Sequence, residues 1–328
     1  MLYEIAITPD VFDAAHVSRD RAHGVEVREL LRQMLVNGLI ADLDKGGWRT
    51  TVDADLGDWG DPAAKDKVIA LINQLGRHHR LVRHPKRLEG RPTSQDHWLR
   101  LIQDSHRRVG FDWIVTGEDF CPDDWRPIGN VMSLTGILNA EAFEGRRRSR
   151  TVRLCEQDYE PALVPLLRHA KSLDIVDPFL KPSHGGTERL NRFVELCANT
   201  MGNRGHALLP GVIRLHMSPN KIRPTRSTDA LLCEWRERLE RFRQRSRTLH
   251  TFHVVAWGMS PDDEELHDRF LLTDQYGVVS GNSFTSGKTE TTRKTGWTLL
   301  DDGEWESHRT MYSNAILPHA KLGELRVG

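Results

Sequence analysis

From residue 151 onward, short apolar runs alternate with amphipathic ones, and this alternation restricts the possible folds more than any other feature. Residues 151–156, 173–179, 212–216, 253–257, 270–273 and 277–280 have strand length and strand composition. Between them, 160–170, 188–203 and 228–247 repeat apolar residues at helical spacing. In the last of these, Leu231, Leu232, Trp235, Leu239 and Phe242 form one stripe, and Arg and Glu fill the other face. Strands separated by helices imply a mostly parallel sheet flanked by helices, the α/β class. The first part alternates as well, with strands at 2–7 and 111–116 and helices at 25–42, 63–75 and 96–107. Residues 122–127 are a loop and 136–150 a connection. The expected organisation is a smaller α/β module over 1–150 and a second domain over 151–328, and the length suits two ordinary domains.

Composition removes several classes of protein. Hydrophobic residues make up 38% and charged residues 28%, which is a globular balance. No apolar run reaches the roughly 20 residues of a membrane span. Glu4 and Asp10 stand where a secretory signal would carry cations, so a cytoplasmic location is expected. Cys121, Cys155, Cys197 and Cys233 are far apart and form no C-x-x-C pair, which argues against zinc and against a disulfide framework. The 46 basic and 46 acidic residues cancel, so a uniform nucleic-acid coat is not expected. Local clusters remain: Arg77 to Arg91, Arg146-Arg147-Arg148-Ser149-Arg150, and the arginines from Arg236 to Arg247. Each is an ordinary solvated face or, beside phosphate chemistry, a backbone contact.

The chemistry concentrates in Leu266-His267-Asp268-Arg269-Phe270 and in Ser280-Gly281-Asn282-Ser283. In an extended chain residues i and i+2 share a face, so His267 and Arg269 project together and Asp268 projects away. An imidazole beside a guanidinium suits attack on a phosphodiester: one group attacks phosphorus and the other holds the non-bridging oxygens.

This stretch resembles the His-x-Lys-x4-Asp motif of the phospholipase D superfamily, with its downstream Gly-Ser-x-Asn element. His267 falls on the histidine, Arg269 on the lysine, Asp274 on the aspartate, Gly281 on the glycine and Asn282 on the serine. Phe284 stands in place of the final asparagine. The His-Asp-Arg wording is also similar to the phospholipase-D-like domain C-terminal to MIT modules, where the fold is linked to lipid binding. Leu173 to Leu180, with its Asp177-Pro178-Phe179, resembles the opening strand of the same domain.

The resemblance implies a phospholipase-D-like fold over 151–328, a mixed but mostly parallel sheet flanked by helices, and a phosphodiesterase that uses two histidines, one attacking phosphorus and one protonating the leaving oxygen. One convincing motif is present, so a second copy of the chain would supply the second His267 across a two-fold axis. On this reading Arg269 neutralises the phosphate, and Asn282 and Ser283 donate to it or orient the imidazole. Asp274 positions a ring or strand. Arg146, Arg147, Arg148 and Lys288 are candidate substrate contacts. No metal and no cofactor is expected. DNA is the expected substrate, within a homodimer whose N-terminal module docks a target or protein partner. Bacterial antiviral defence or restriction fits by fold-level analogy. The alternative is a non-catalytic module that binds anionic lipid or nucleic acid through the same phosphate pocket.

In the N-terminal part, Asp10 and Asp13 after the first strand and Asp112 at a later one faintly resemble the carboxylates of acidic metal nucleases. Aspartates at strand ends more often serve as turn formers and caps, so a recognition, assembly or docking role is favoured. His84-Pro85-Lys86, His169-Ala170-Lys171 and His319-Ala320-Lys321 also match His-x-Lys, but lack the strand, the aspartate and the turn.

Overall fold

The computed structural model describes residues 2–84, 92, 94–117, 130–140, 148–183, 190–201, 210–222, 226–260, 266–284, 293–314 and 319–328. The chain forms two compact units, Met1–Arg147 and Arg148–Gly328.

Unit 1 is built on β1 (Tyr3–Ile7), β2 (Gly38–Asp42), β3 (Leu81–Arg83), β4 (Trp113–Thr116) and β5 (Val131–Ser133). Their order is β3-β2-β1-β4-β5, and every pairing is parallel. The helix expected over 25–42 is a helix and a strand. Helix Arg21–Asn37 ends and β2 begins at Gly38, where an added Cβ would lie 1.8 Å from Met34 Cε. All five residues of β2 are buried, so its apolar run carries no alternation to separate it from the helix before it. Helix Gly47–Gly57 was not expected; it buries Trp48, Val52 and Leu56. The Trp48 Nε1–H donates to the Ile7 carbonyl at 2.6 Å and so binds this helix to the end of β1. Helix Pro62–Arg77 is capped by Asp61 and buries Val68, Ile72 and Leu75.

Unit 2 is built on β6 (Ser149–Arg153), β7 (Ser172–Val176), β8 (Val212–Met217), β9 (Thr251–Trp257), β10 (Phe270–Thr273), β11 (Gly277–Ser280), β12 (Lys294–Leu299) and β13 (Lys321–Val327). The order is β13-β9-β8-β7-β10-β11-β12-β6. The expectation of a mostly parallel sheet does not hold here. Only β7, β8 and β9 pair in parallel, and the remaining pairings are antiparallel. For the β10–β11 pair the cause is connection length: β10 returns as β11 after three residues, far too few for the crossover that parallel strands need. β12, β13 and helix Asp302–Ser313 were also not expected: β13 and the helix interleave apolar residues with charges, and β12 offers only Trp297 and Leu299 as large apolar side chains.

Helix Asp302–Ser313 covers one face of this sheet, packing Trp305 and Tyr312 with Val176, Phe270 and Leu272. Elsewhere Tyr159, Phe193, Phe284 and Trp297 form an aromatic cluster with ring centroids 5.0–6.0 Å apart. No described helix is long and apolar enough to cross a membrane. The carboxyl end of β7, the start of β10 and the end of β11 meet at one edge of the sheet, where ligands of open α/β sheets bind.

Candidate active site

Asp177 organises this edge. It follows β7 directly, is fully buried, and was not singled out from the sequence as a site residue. Its Oδ1 accepts the Phe179 N–H at 2.9 Å. Its Oδ2 accepts the Ser283 hydroxyl at 2.5 Å and the Phe284 N–H at 2.7 Å. Burial pushes its carboxyl above the ordinary range, while Ser283, the two backbone donors and Arg269 oppose that rise.

Arg269 precedes β10, and its carbonyl accepts the Ser280 N–H at 2.9 Å. Its Cζ lies 5.5 Å from the centroid of the half-buried Phe179 ring. Among the described residues it forms no ion pair, and its buried Nε has no hydrogen-bond partner. His267 is exposed two residues earlier, with no partner among the described residues. It lies before the strand, which starts at Phe270, rather than opening it. Asp268 accepts the Tyr312 hydroxyl at 2.6 Å, from the helix on the covered face.

The turn after β11 completes the edge. The Ser280 hydroxyl donates to the Asn282 carbonyl at 2.7 Å, and the Gly281 N–H reaches the Gly296 carbonyl at 3.1 Å. Asn282 is exposed. Phe284 is buried and stacks on Phe193 with centroids 5.0 Å apart, so the residue in place of the motif asparagine is a core anchor. The structure thus gathers His267, Arg269, Asn282 and Ser283 at one edge.

Two other expected residues do not join them. Asp274 lies at the opposite end of β10, where its Oδ1 accepts the Lys171 and Ser172 N–H groups at 2.8 and 3.3 Å. It holds the start of β7, a strand-positioning role at the far end of β10 from Arg269. Arg148 is exposed beside Leu299, level with Val278 rather than with the Gly281–Ser283 turn. Arg146, Arg147 and Lys288 lie outside the described residues. Three arginines of the helical row are ion-paired: Arg238 meets Glu234 at 3.3 Å, Arg241 meets Glu237 at 3.5 Å and Arg245 meets Glu195 at 2.5 Å.

Beneath the edge runs a buried polar chain. The Trp257 Nε1–H donates to His216 Nδ1 at 3.2 Å, so the proton of this imidazole sits on Nε2 and is donated to Asp174 Oδ1 at 3.0 Å. Asp174 Oδ2 takes Arg214 at 3.3 Å and Ser313 at 3.1 Å. His216 is fully buried, so it has no route to a substrate phosphate.

In unit 1, sheet order reverses between β1 and β4, and carboxylates converge at the carboxyl end of β1. Asp10 Oδ2 accepts the Gly117 N–H at 3.0 Å, and its Oδ1 is buried without a partner among the described residues. Gly117 is needed there, because a Cβ would lie 2.5 Å from Asp10 Oδ2. The Asp55 carboxyl is pushed up to about 6, first by burial and then by Asp13, Asp58 and Asp10. Asp112 is not part of this group. It precedes β4 at the other end of the sheet, and its Oδ2 accepts the Glu4 N–H at 2.7 Å.

No family model matches the chain, and no curated protein matches it. Among solved structures it is similar to TrmBL2, an archaeal chromatin protein with a novel mode of DNA binding. The identity is 12% and the TM-score 0.28, over 78% of this chain and 83% of that one. A likeness of that degree says nothing of fold or function.

Proposed function

We propose that unit 2 is a phospholipase-D-like phosphodiesterase that cleaves DNA through His267, working as a homodimer in which each chain contributes one histidine. The observation that carries this reading is Arg269. A partly buried guanidinium that makes no ion pair among the described residues is a ready partner for phosphate, and it lies two residues from an exposed imidazole and beside a turn of small polar residues. In this reading one His267 attacks phosphorus and the other protonates the leaving oxygen, then activates water. Arg269 holds the non-bridging oxygens, and Asn282 supplies a further donor. The chemistry itself calls for no metal.

The test is cleavage of labelled plasmid, single-stranded DNA and phospholipid vesicles, each with EDTA, by wild type and by His267→Ala. Cleavage of DNA in EDTA that vanishes in a folded His267→Ala protein is expected. Cleavage in EDTA that survives the substitution removes His267 as the nucleophile. Phosphate-dependent binding without turnover gives the non-catalytic module instead.

A further inference from the structure

An acid that attracts Arg269 is occupied by other donors. Asp177 and the guanidinium interact favourably, but the Asp177 oxygens already receive Phe179 N–H, Ser283 hydroxyl and Phe284 N–H. The guanidinium rests instead on the ring of Phe179. Both residues stand on fixed backbone. On one side, Asp177 N–H reaches the His216 carbonyl at 3.0 Å, Ser218 N–H reaches the Pro178 carbonyl at 3.2 Å, and Leu180 N–H reaches the Asp177 carbonyl at 3.0 Å. On the other, the Arg269 carbonyl holds Ser280 N–H at 2.9 Å.

A cation held by a π-face differs from one held by a carboxylate. The ring restrains the plane of the guanidinium and consumes none of its N–H donors. We infer that Phe179 is the positioning residue of the phosphate subsite: its ring carries Arg269 in place of an ion pair and leaves the N–H fork for the non-bridging oxygens of one phosphodiester. This rests on the phosphodiesterase reading and deepens it. It also gives a physical reason for arginine at a motif position where lysine is usual. A compact, strongly hydrated ammonium gains less from lying on a ring and cannot present a bidentate fork.

The experiment is a double-mutant cycle over Phe179→Leu and Arg269→Lys, with Phe179→Tyr as the conservative variant. Two readouts are taken: kcat and KM for DNA cleavage, and binding of inorganic phosphate by calorimetry. Phe179→Leu should lower kcat/KM and phosphate affinity about tenfold each at an unchanged melting temperature, and Phe179→Tyr should restore both. Arg269→Lys should cost about tenfold while Phe179 is present and almost nothing in the Phe179→Leu background. If the leucine variant fails to fold, Phe179→Met keeps the bulk without the π-face and takes its place. A folded Phe179→Leu protein with wild-type phosphate binding overturns the inference, as do equal losses from Arg269→Lys in both backgrounds. A wild type that cleaves nothing, yet binds phosphate in a Phe179-dependent way, overturns the phosphodiesterase reading and leaves the positioning role standing.

Discussion

Asp177 Oδ2 receives the Ser283 hydroxyl at 2.5 Å and the Phe284 N–H at 2.7 Å, so the end of β7 grips the turn after β11 across the intervening β10. A single buried carboxylate therefore sets where Asn282 and Ser283 stand relative to Arg269. On this geometry the turn is preorganised: Phe284 is seated in the core behind it, and Asp177 pulls from the side.

Asp177→Ala should be the most damaging single change at this edge. It removes the acceptor from three donors, two of them backbone N–H groups, at about 1–3 kcal/mol for each one left unsatisfied. Water will reach some of them, so a net loss of about 3 kcal/mol in urea denaturation is expected. Ser283→Ala removes one donor and should cost about 1 kcal/mol, because the Phe284 N–H still holds the turn. Equal losses below about 0.5 kcal/mol in both variants, the size of ordinary surface changes, would show that Asp177 does not clamp the turn.

His216→Leu should destabilise unit 2 strongly while leaving the site residues themselves intact. Asp174 would keep only Arg214 and Ser313, and the Trp257 N–H would lose its acceptor inside the core. Each buried polar group left without its partner in this way costs about 1–3 kcal/mol. Adding Asp174→Asn neutralises the carboxylate that has lost its imidazole donor and should recover part of that loss in the same denaturation measurement. A double variant less stable than His216→Leu alone would mean that Asp174 draws its stability from Arg214 and Ser313.

Much of this edge was legible because it is local in sequence. His267 and Arg269 are two residues apart, and the hairpin β10–β11 brings residues 281–283 back beside them after a short turn. Asp177 was legible only as part of an apolar strand opening, because its role depends on β10 lying between β7 and β11, an order that no periodicity reports. Helix–strand boundaries failed where burial is total. Gly38 to Asp42 are all buried, so the strand lacks the alternation that marks a half-exposed one. The acidic group of unit 1 was half visible: Asp10 and Asp13 stood out, but Asp55 and Asp58 reach them only through helix Gly47–Gly57, whose register on β1 is set by Trp48.

Asp55 should make unit 1 pH-sensitive. Its folded pKa of about 6 lies above the unfolded value of 3.8, so the folded state binds its proton more tightly. Its contribution to stability is therefore full below about pH 4 and is lost as the pH rises through about 6. Asp55→Asn should flatten that part of the stability curve and raise stability at pH 7 by about 1 kcal/mol, a figure discounted for partial solvent exposure. Thermal melts from pH 4 to 7 on both proteins check this. A pH profile unchanged by the substitution would show that Asp55 titrates normally.

The proposed two-chain site has a consequence for mixtures of wild type and variant. His267 is exposed and has no hydrogen bond or ion pair with a described residue, so His267→Ala should leave stability within about 0.5 kcal/mol of wild type. The variant therefore remains able to pair with wild-type chains. If each phosphate pocket needs two His267 side chains, a mixed dimer holds one and cannot complete both the attack and the protonation. At a ninefold excess of variant only about one dimer in a hundred is wild type in both chains, by random pairing. Activity per wild-type chain should then fall about tenfold at constant total protein. A chain that supplies both groups by itself would show no fall. The mixture should be equilibrated above the dimer dissociation constant and its mass followed by light scattering. Full activity per wild-type chain in a confirmed mixed dimer would place the second proton-transfer group within the same chain, and the two-fold site would have to be given up.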